Sequence, residues 1–144
     1  MEKIKTLYII TRLIVGGAQE TAIQSCELLN HDRYDAHLLT GPETGAEGEM
    51  ISLARQLGIP LTVLPTLVRE ISPVKDLKTF LQLRAFIKKG KYQIVHTHCP
   101  KAGILGRIAA RMAGVPVIVH TAHGWGHTAY KSRLKKTIFV FLEK

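Results

Sequence analysis

A chain of 144 residues, 46% of them apolar and 22% charged, fits one globular domain with a real core and excludes a disordered protein. No apolar run approaches the roughly 20 residues of a membrane-spanning helix, and the opening MEKIKTLYIITR lacks a signal-peptide cleavage site, so a cytoplasmic protein is expected. Twenty basic against eleven acidic residues give a formal charge of +9, which favours anionic partners without choosing among nucleotides, acidic lipids and nucleic acid.

Apolar periodicity then predicts a regular alternation along the chain. Lys5 to Thr11 reads as a buried strand, followed by a glycine turn and a helix from Gly17 to Leu29. Tyr34 to Thr40 is a second strand and Glu47 to Leu57 a second helix, ended by Gly58. Ile59 to Leu64 is a third strand. After Pro73 an amphipathic helix runs from Val74 to Lys89, with Leu77, Phe80, Leu81, Leu83, Phe86 and Ile87 as one broad apolar face. Tyr92 to Thr97, Lys101 to Ala113 and Val117 to Thr121 complete a strand, a helix and a strand, and Lys131 to Lys144 reads as a basic, amphipathic helix. This order predicts an α/β, Rossmann-like fold: a parallel sheet with helices on both faces and ligands at the carboxyl ends of its strands.

Three features stand at those carboxyl ends. Gly16 and Gly17 separate the first strand from the first helix, where glycine admits close backbone approach and helix N–H groups suit an anion. The plain alternative is a tight turn, and the GxGxxG dinucleotide fingerprint is absent. His98 closes the fourth strand and His123 the fifth, whereas His96 and His120 sit deeper and read as structural. Two strand-end histidines lack the third protein ligand that zinc needs, and neither His127 nor Cys99 has a recognisable metal spacing, so no metal site is expected. Lys101 opens a helix, against the dipole preference, which suits a nearby anionic or polyhydroxyl ligand; its plain alternative is a solvated lysine. Gly103, Gly106, Ala109, Ala110 and Ala113 make the rest of that helix narrow enough to lie close on the sheet. Cys26 and Cys99 read as inert core thiols.

Taken together, GGAQE after the first strand and IVHTHCPKAGILGRIAARMAGVPVIVHTAHGW further on resemble the amino-terminal domain of family-four (group 1) retaining glycosyltransferases of the GT-B type, across essentially the whole chain. The resemblance implies the acceptor-side half of a two-domain enzyme that moves a sugar from a nucleoside diphosphate, UDP- or GDP-linked, to an acceptor hydroxyl with retention. It implies no metal and no other cofactor. It places Gly16 and Gly17 at the donor phosphates, His123 at the sugar or reacting centre, and His98 and Lys101 on the acceptor side. Trp125 and His127 lie in the loop that follows. Residues 1–144 would form one incomplete domain, inactive alone, because the donor domain is missing and TIFVFLEK stops inside a helix without a capping glycine. Cell-envelope polysaccharide or glycolipid synthesis, with peripheral contact to an anionic inner membrane, is the setting the resemblance suggests.

Two other classes fit parts of the sequence. A stand-alone nucleotide- or anion-binding module explains the charge and helix amino termini without chemistry. A nucleic-acid-binding protein explains the pI near 9.8, but no aromatic residues interleave with a basic patch, and nucleic acid is not expected as a partner.

Overall fold

The computed structural model describes residues 2–43 and 50–123. Five strands and four helices alternate: β1 (Ile4–Ile10), α1 (Gly17–Glu27), β2 (Tyr34–Thr40), α2 (Ile51–Gln56), β3 (Leu61–Val63), α3 (Pro73–Gly90), β4 (Ile94–His98), α4 (Pro100–Met112) and β5 (Val117–Thr121). All four strand pairings are parallel, in the order β3-β2-β1-β4-β5. The expected fold class is what is found.

The two faces of the sheet have separate cores. Tyr8, Ile10, Ala36 and Leu38 pack with Ala22, Ile23 and Cys26 of α1 and Ala54 of α2. On the opposite face Leu7, Ile9, Leu39 and Val95 pack with Leu83 and Ile87 of α3 and Ala102, Ala109 and Ala110 of α4. Strand alternation requires this division, because successive side chains leave the sheet on opposite sides. The small residues of α4 bring it down onto the strands. A Cβ on Gly106 would lie 2.7 Å from Thr97 Cγ2, and one on Gly103 would lie 2.5 Å from His120 Cε1. At the end of β2, a Cβ on Gly41 would overlap the Leu67 carbonyl oxygen, which leaves that position to glycine.

Most predicted boundaries shift by one or two residues. The tail from Lys131, together with Trp125 and His127, lies outside the described residues, as does the predicted start of the second helix. One expectation is corrected. The broad apolar face of α3 is two faces: Leu83 and Ile87 are buried, while Leu77 and Leu81 are 60% and 53% exposed. At 3.6 residues per turn, Leu77 and Leu81 follow Val74 along the outer side of the helix, and Val74 is exposed too. Periodicity counted both sides as one stripe.

The strand order fixes where a ligand fits. From β1 the chain winds outward through β2 to β3, then returns to β4 and continues to β5 on the other flank. The β1 loop leads into α1 on one face and the β4 loop into α4 on the other. Between them, at the carboxyl ends of β1 and β4, the diverging loops leave the crevice in which such folds bind ligands.

Candidate functional site

Strand register brings the predicted histidines together. His98 pairs laterally with Ile10 of β1 and Thr121 of β5, and His96 with Tyr8 and Val119. In a parallel ladder these neighbours project to the same side, so His96, His98 and Thr121 share the α1 face of the sheet, and His123 follows two residues beyond Thr121. His98 Nδ1 and His123 Nε2 are 2.8 Å apart, a hydrogen bond between imidazoles. His98 is fully buried, whereas His123 is exposed. Two strand-end residues expected to face a shared crevice are therefore stacked in depth, with His123 outermost.

Behind them the rings continue inward. The His98 and His96 centroids are 4.3 Å apart with planes at 30°, and Tyr8 lies 5.3 Å from His96 and 6.2 Å from His98. His96 Nε2 bonds Thr121 Oγ1 at 2.7 Å. On the other face His120 Nδ1 lies 2.9 Å from Thr97 Oγ1, and its ring fits against Gly103. His96 and His120 thus each bind a neighbouring strand, while His98 alone of the β4 histidines touches His123. Burial, and then the nearby His96, His123 and His120, hold the His98 imidazole down to about 3. It is neutral at any physiological pH. His96 is lowered as well, by burial first and then by His120 and His123. Tyr8, which the sequence did not single out, is pushed up to about 12, chiefly by burial.

The β4–α4 junction is strained. Cys99 has φ 66° and ψ 152°, a region almost confined to glycine, and it precedes Pro100, which itself favours extended backbone before it. The turn this makes directs α4 away from His98 at the crevice. Burial raises the Cys99 and Cys26 thiols, Cys26 to about 12, so both remain protonated.

Lys101 is not the solvated lysine of the plain alternative. Its ammonium sits 2.6 Å from Asp76 Oδ1 of α3 and donates to the Glu70 carbonyl. Asp76 is an acid in the first turn of its own helix, so it meets both a dipole and a cation. The next amide of α4, Ala102 N–H, donates to Thr11 Oγ1 at 3.2 Å, tying the end of β1 to the start of α4 across the crevice. Gly16 caps α1 in extended backbone (φ 169°, ψ 159°), with its carbonyl accepting from the Gln19 and Glu20 amides. A Cβ on Gly17 would meet nothing within 4 Å, so packing among the described residues does not demand glycine there. No three His, Cys, Asp or Glu side chains among the described residues are grouped to hold a metal ion.

Comparison with known proteins agrees with this fold. Residues 16–144 match the family model described as Glycosyl transferase 4-like domain. A curated relative from Escherichia coli, UDP-Gal:alpha-D-GlcNAc-diphosphoundecaprenol alpha-1,3-galactosyltransferase, is 39% identical over 144 residues, covering 98% of this chain and 35% of the relative. The chain thus spans about a third of that protein. Among solved structures, MurG from Acinetobacter baumannii superposes with a TM-score of 0.64 at 20% identity, over 94% of this chain and 39% of that one. UDP-GlcNAc 2-epimerase from Neisseria meningitidis, bound to UDP-GlcNAc, superposes with a TM-score of 0.61 at 15% identity, over 96% and 38%. At these identities the structures speak for the fold alone, which is the first Rossmann-like domain of the GT-B arrangement.

Proposed function

We propose a function from one premise: the chain belongs to the family of glycosyl transferase 4-like domains. On this reading it is the acceptor-side domain of a retaining transferase that moves a sugar, galactose first among candidates, from a UDP- or GDP-linked donor to a hydroxyl of a lipid-linked acceptor. The galactose and the lipid come from the name of the E. coli relative. The observation that carries the reading is the exposed His123 at the carboxyl end of β5, braced by His98 at 2.8 Å beside the β1–β4 crevice.

Each residue then has a task. The amides that open α1 after Gly16 and Gly17 face the donor's diphosphate, where backbone N–H groups and the helix dipole stabilise charge as the leaving group departs. His123 contacts the transferred sugar or the reacting hydroxyl as a hydrogen-bonding group. A general base is not needed if the departing phosphate oxygen takes the acceptor's proton, leaving His123 to orient the reactants. Lys101, held by Asp76 and the Glu70 carbonyl, keeps the amino termini of α3 and α4 together on the acceptor side. Trp125 belongs to the same substrate-binding group in this reading. No step requires a metal or other cofactor.

The outer side of α3 supports contact with an anionic membrane surface. Val74, Leu77 and Leu81 are 81%, 60% and 53% exposed, Ile71 just before the helix is 62% exposed, and Lys75, Lys78 and Lys88 are exposed on the same helix. Apolar side chains set among lysines suit insertion at an acidic headgroup region. No helix among the described residues is long and apolar enough to cross a membrane. The lipid acceptor would then be met at the bilayer surface.

The reading is tested by assaying the native polypeptide with UDP- and GDP-sugars against polyprenyl-diphosphate-linked GlcNAc, alongside the 144-residue chain alone. Transfer by the native polypeptide, lost in His123→Ala and nearly absent from the isolated chain, is expected. Nucleotide binding that survives His123→Ala without any transfer would favour the anion-binding module instead.

A further inference from the structure

We propose that His98 is a positioning residue: it donates its Nδ1–H to His123 Nε2 and so leaves the proton of His123 on the outward Nδ1. The inference rests on the role given to His123 above, and it names which kind of hydrogen bond that residue offers.

The two nitrogens are 2.8 Å apart, and one proton lies between them. If His123 Nε2–H were the donor, His98 would accept on Nδ1 and carry its own proton on Nε2. That nitrogen is buried and has no hydrogen-bond partner among the described residues, in a residue with 0% exposure. The arrangement would strand an N–H donor away from water, which folded proteins rarely tolerate. With the proton on Nδ1 of His98, the atom left without a partner is a lone pair, the lesser of the two defects. The free histidine side chain weakly favours Nε2–H, so both rings adopt the less common tautomer, and the buried Nε2 of His98 is what reverses the preference.

The surroundings hold His98 in place for this. One face of its ring lies against His96, itself fixed to Thr121, and Tyr8 is near both. The stack leaves His98 neutral, its ordinary pKa driven down by burial. His123 consequently presents Nδ1–H, a donor, to whatever oxygen occupies the crevice. A sugar hydroxyl or a diphosphate oxygen fits such a group, and proton abstraction from the acceptor does not. The sequence put both histidines at strand ends, but the bond between them is set by the β4–β5 register.

Nitrogen-15 NMR of histidine-labelled native polypeptide, without substrate, reads the protonated nitrogen in each ring. The expected result is a bare Nε2 and a protonated Nδ1 on His123. His98→Asn, whose side-chain N–H replaces the donor, should keep that pattern, and His98→Leu should return His123 to Nε2–H. Transfer should fall about tenfold or more in kcat in His98→Leu, with donor KM changed less than about twofold, and recover largely in His98→Asn. A His123 protonated on Nε2 in the unmodified protein overturns the proposal, as does an unchanged His123 tautomer in His98→Leu. The expected tautomers together with undiminished transfer by His123→Ala would instead overturn the functional reading and leave the tautomer assignment standing.

Discussion

Ile10 and His98 are lateral neighbours in adjacent strands, on the same face of the sheet and with no exposure at all, yet they belong to different regions. Ile10 lies in an aliphatic half closed by α1 and α2, where Tyr8, Ala36 and Leu38 surround it. His98 opens a half in which the same face is built of imidazoles and threonine, from His96 through Thr121 to His123. One strand spacing separates burial that holds the fold from burial that shapes a site. Apolar packing in the first half tolerates no lost volume. The second half accepts a buried polar atom without a partner among the described residues, Nε2 of His98, which is a cost that folding alone gives no reason to keep.

Substitutions at the matched pair should separate the two roles. Ile10→Ala should lower the unfolding free energy by about 3 kcal/mol through the cavity it leaves, measured by denaturant titration. Gly103→Ala, which forces the His120 ring to move, should cost about 1–3 kcal/mol by the same measurement, because that ring is also held by Thr97. Lys101→Met strands Asp76 between water and protein and should cost about 1–2 kcal/mol, since the pair is mostly but not wholly buried. His98→Leu should change stability at neutral pH by less than about 1 kcal/mol, because the lost hydrogen bond is offset by the lost orphan nitrogen.

Acid separates the two halves further. The folded state holds His98 at about 3 against an ordinary 6.5, so between those values the unfolded chain binds the extra proton. Stability from the neutral ring is complete above about 6.5 and is lost as pH falls toward about 3. The melting temperature of His98→Asn should therefore decline less steeply over that range than that of the unmodified protein, whereas Ile10→Val should decline in parallel with it. Smallest of all, Leu77→Ser with Leu81→Ser should alter stability by under about 0.5 kcal/mol while weakening sedimentation with phosphatidylglycerol vesicles.

Much of this was legible in the sequence for physical reasons. Alternation of strands with helices sets the fold class, and the strand-end positions of His98 and His123 follow from the period-two geometry of β4 and β5. Small residues in α4 announced a close helix–sheet contact, and Gly103 and Gly106 make it. Other features depend on register and packing between distant segments, which no local pattern encodes. The bond between His98 and His123, the support from Tyr8, and the pairing of Lys101 with Asp76 are of that kind. The sequence likewise merged the buried and exposed apolar sides of α3, since hydrophobicity alone does not say which leucine meets the core. A signal for that existed in the lysines at 75 and 78, which flank Leu77 and argue for solvent or a charged surface.

On the proposed function, His123 at the crevice end of the histidine half acts on the transferred group. The most direct measurement is kcat/KM for sugar transfer to a polyprenyl-diphosphate-linked acceptor by His123→Ala, with His31→Ala as control. His31 is an exposed histidine beyond α1, bonded to the Glu27 carbonyl and remote from the crevice. A loss of about a hundredfold or more for His123→Ala, with the control unchanged, is the result predicted here. Equal activity in the two variants would contradict it.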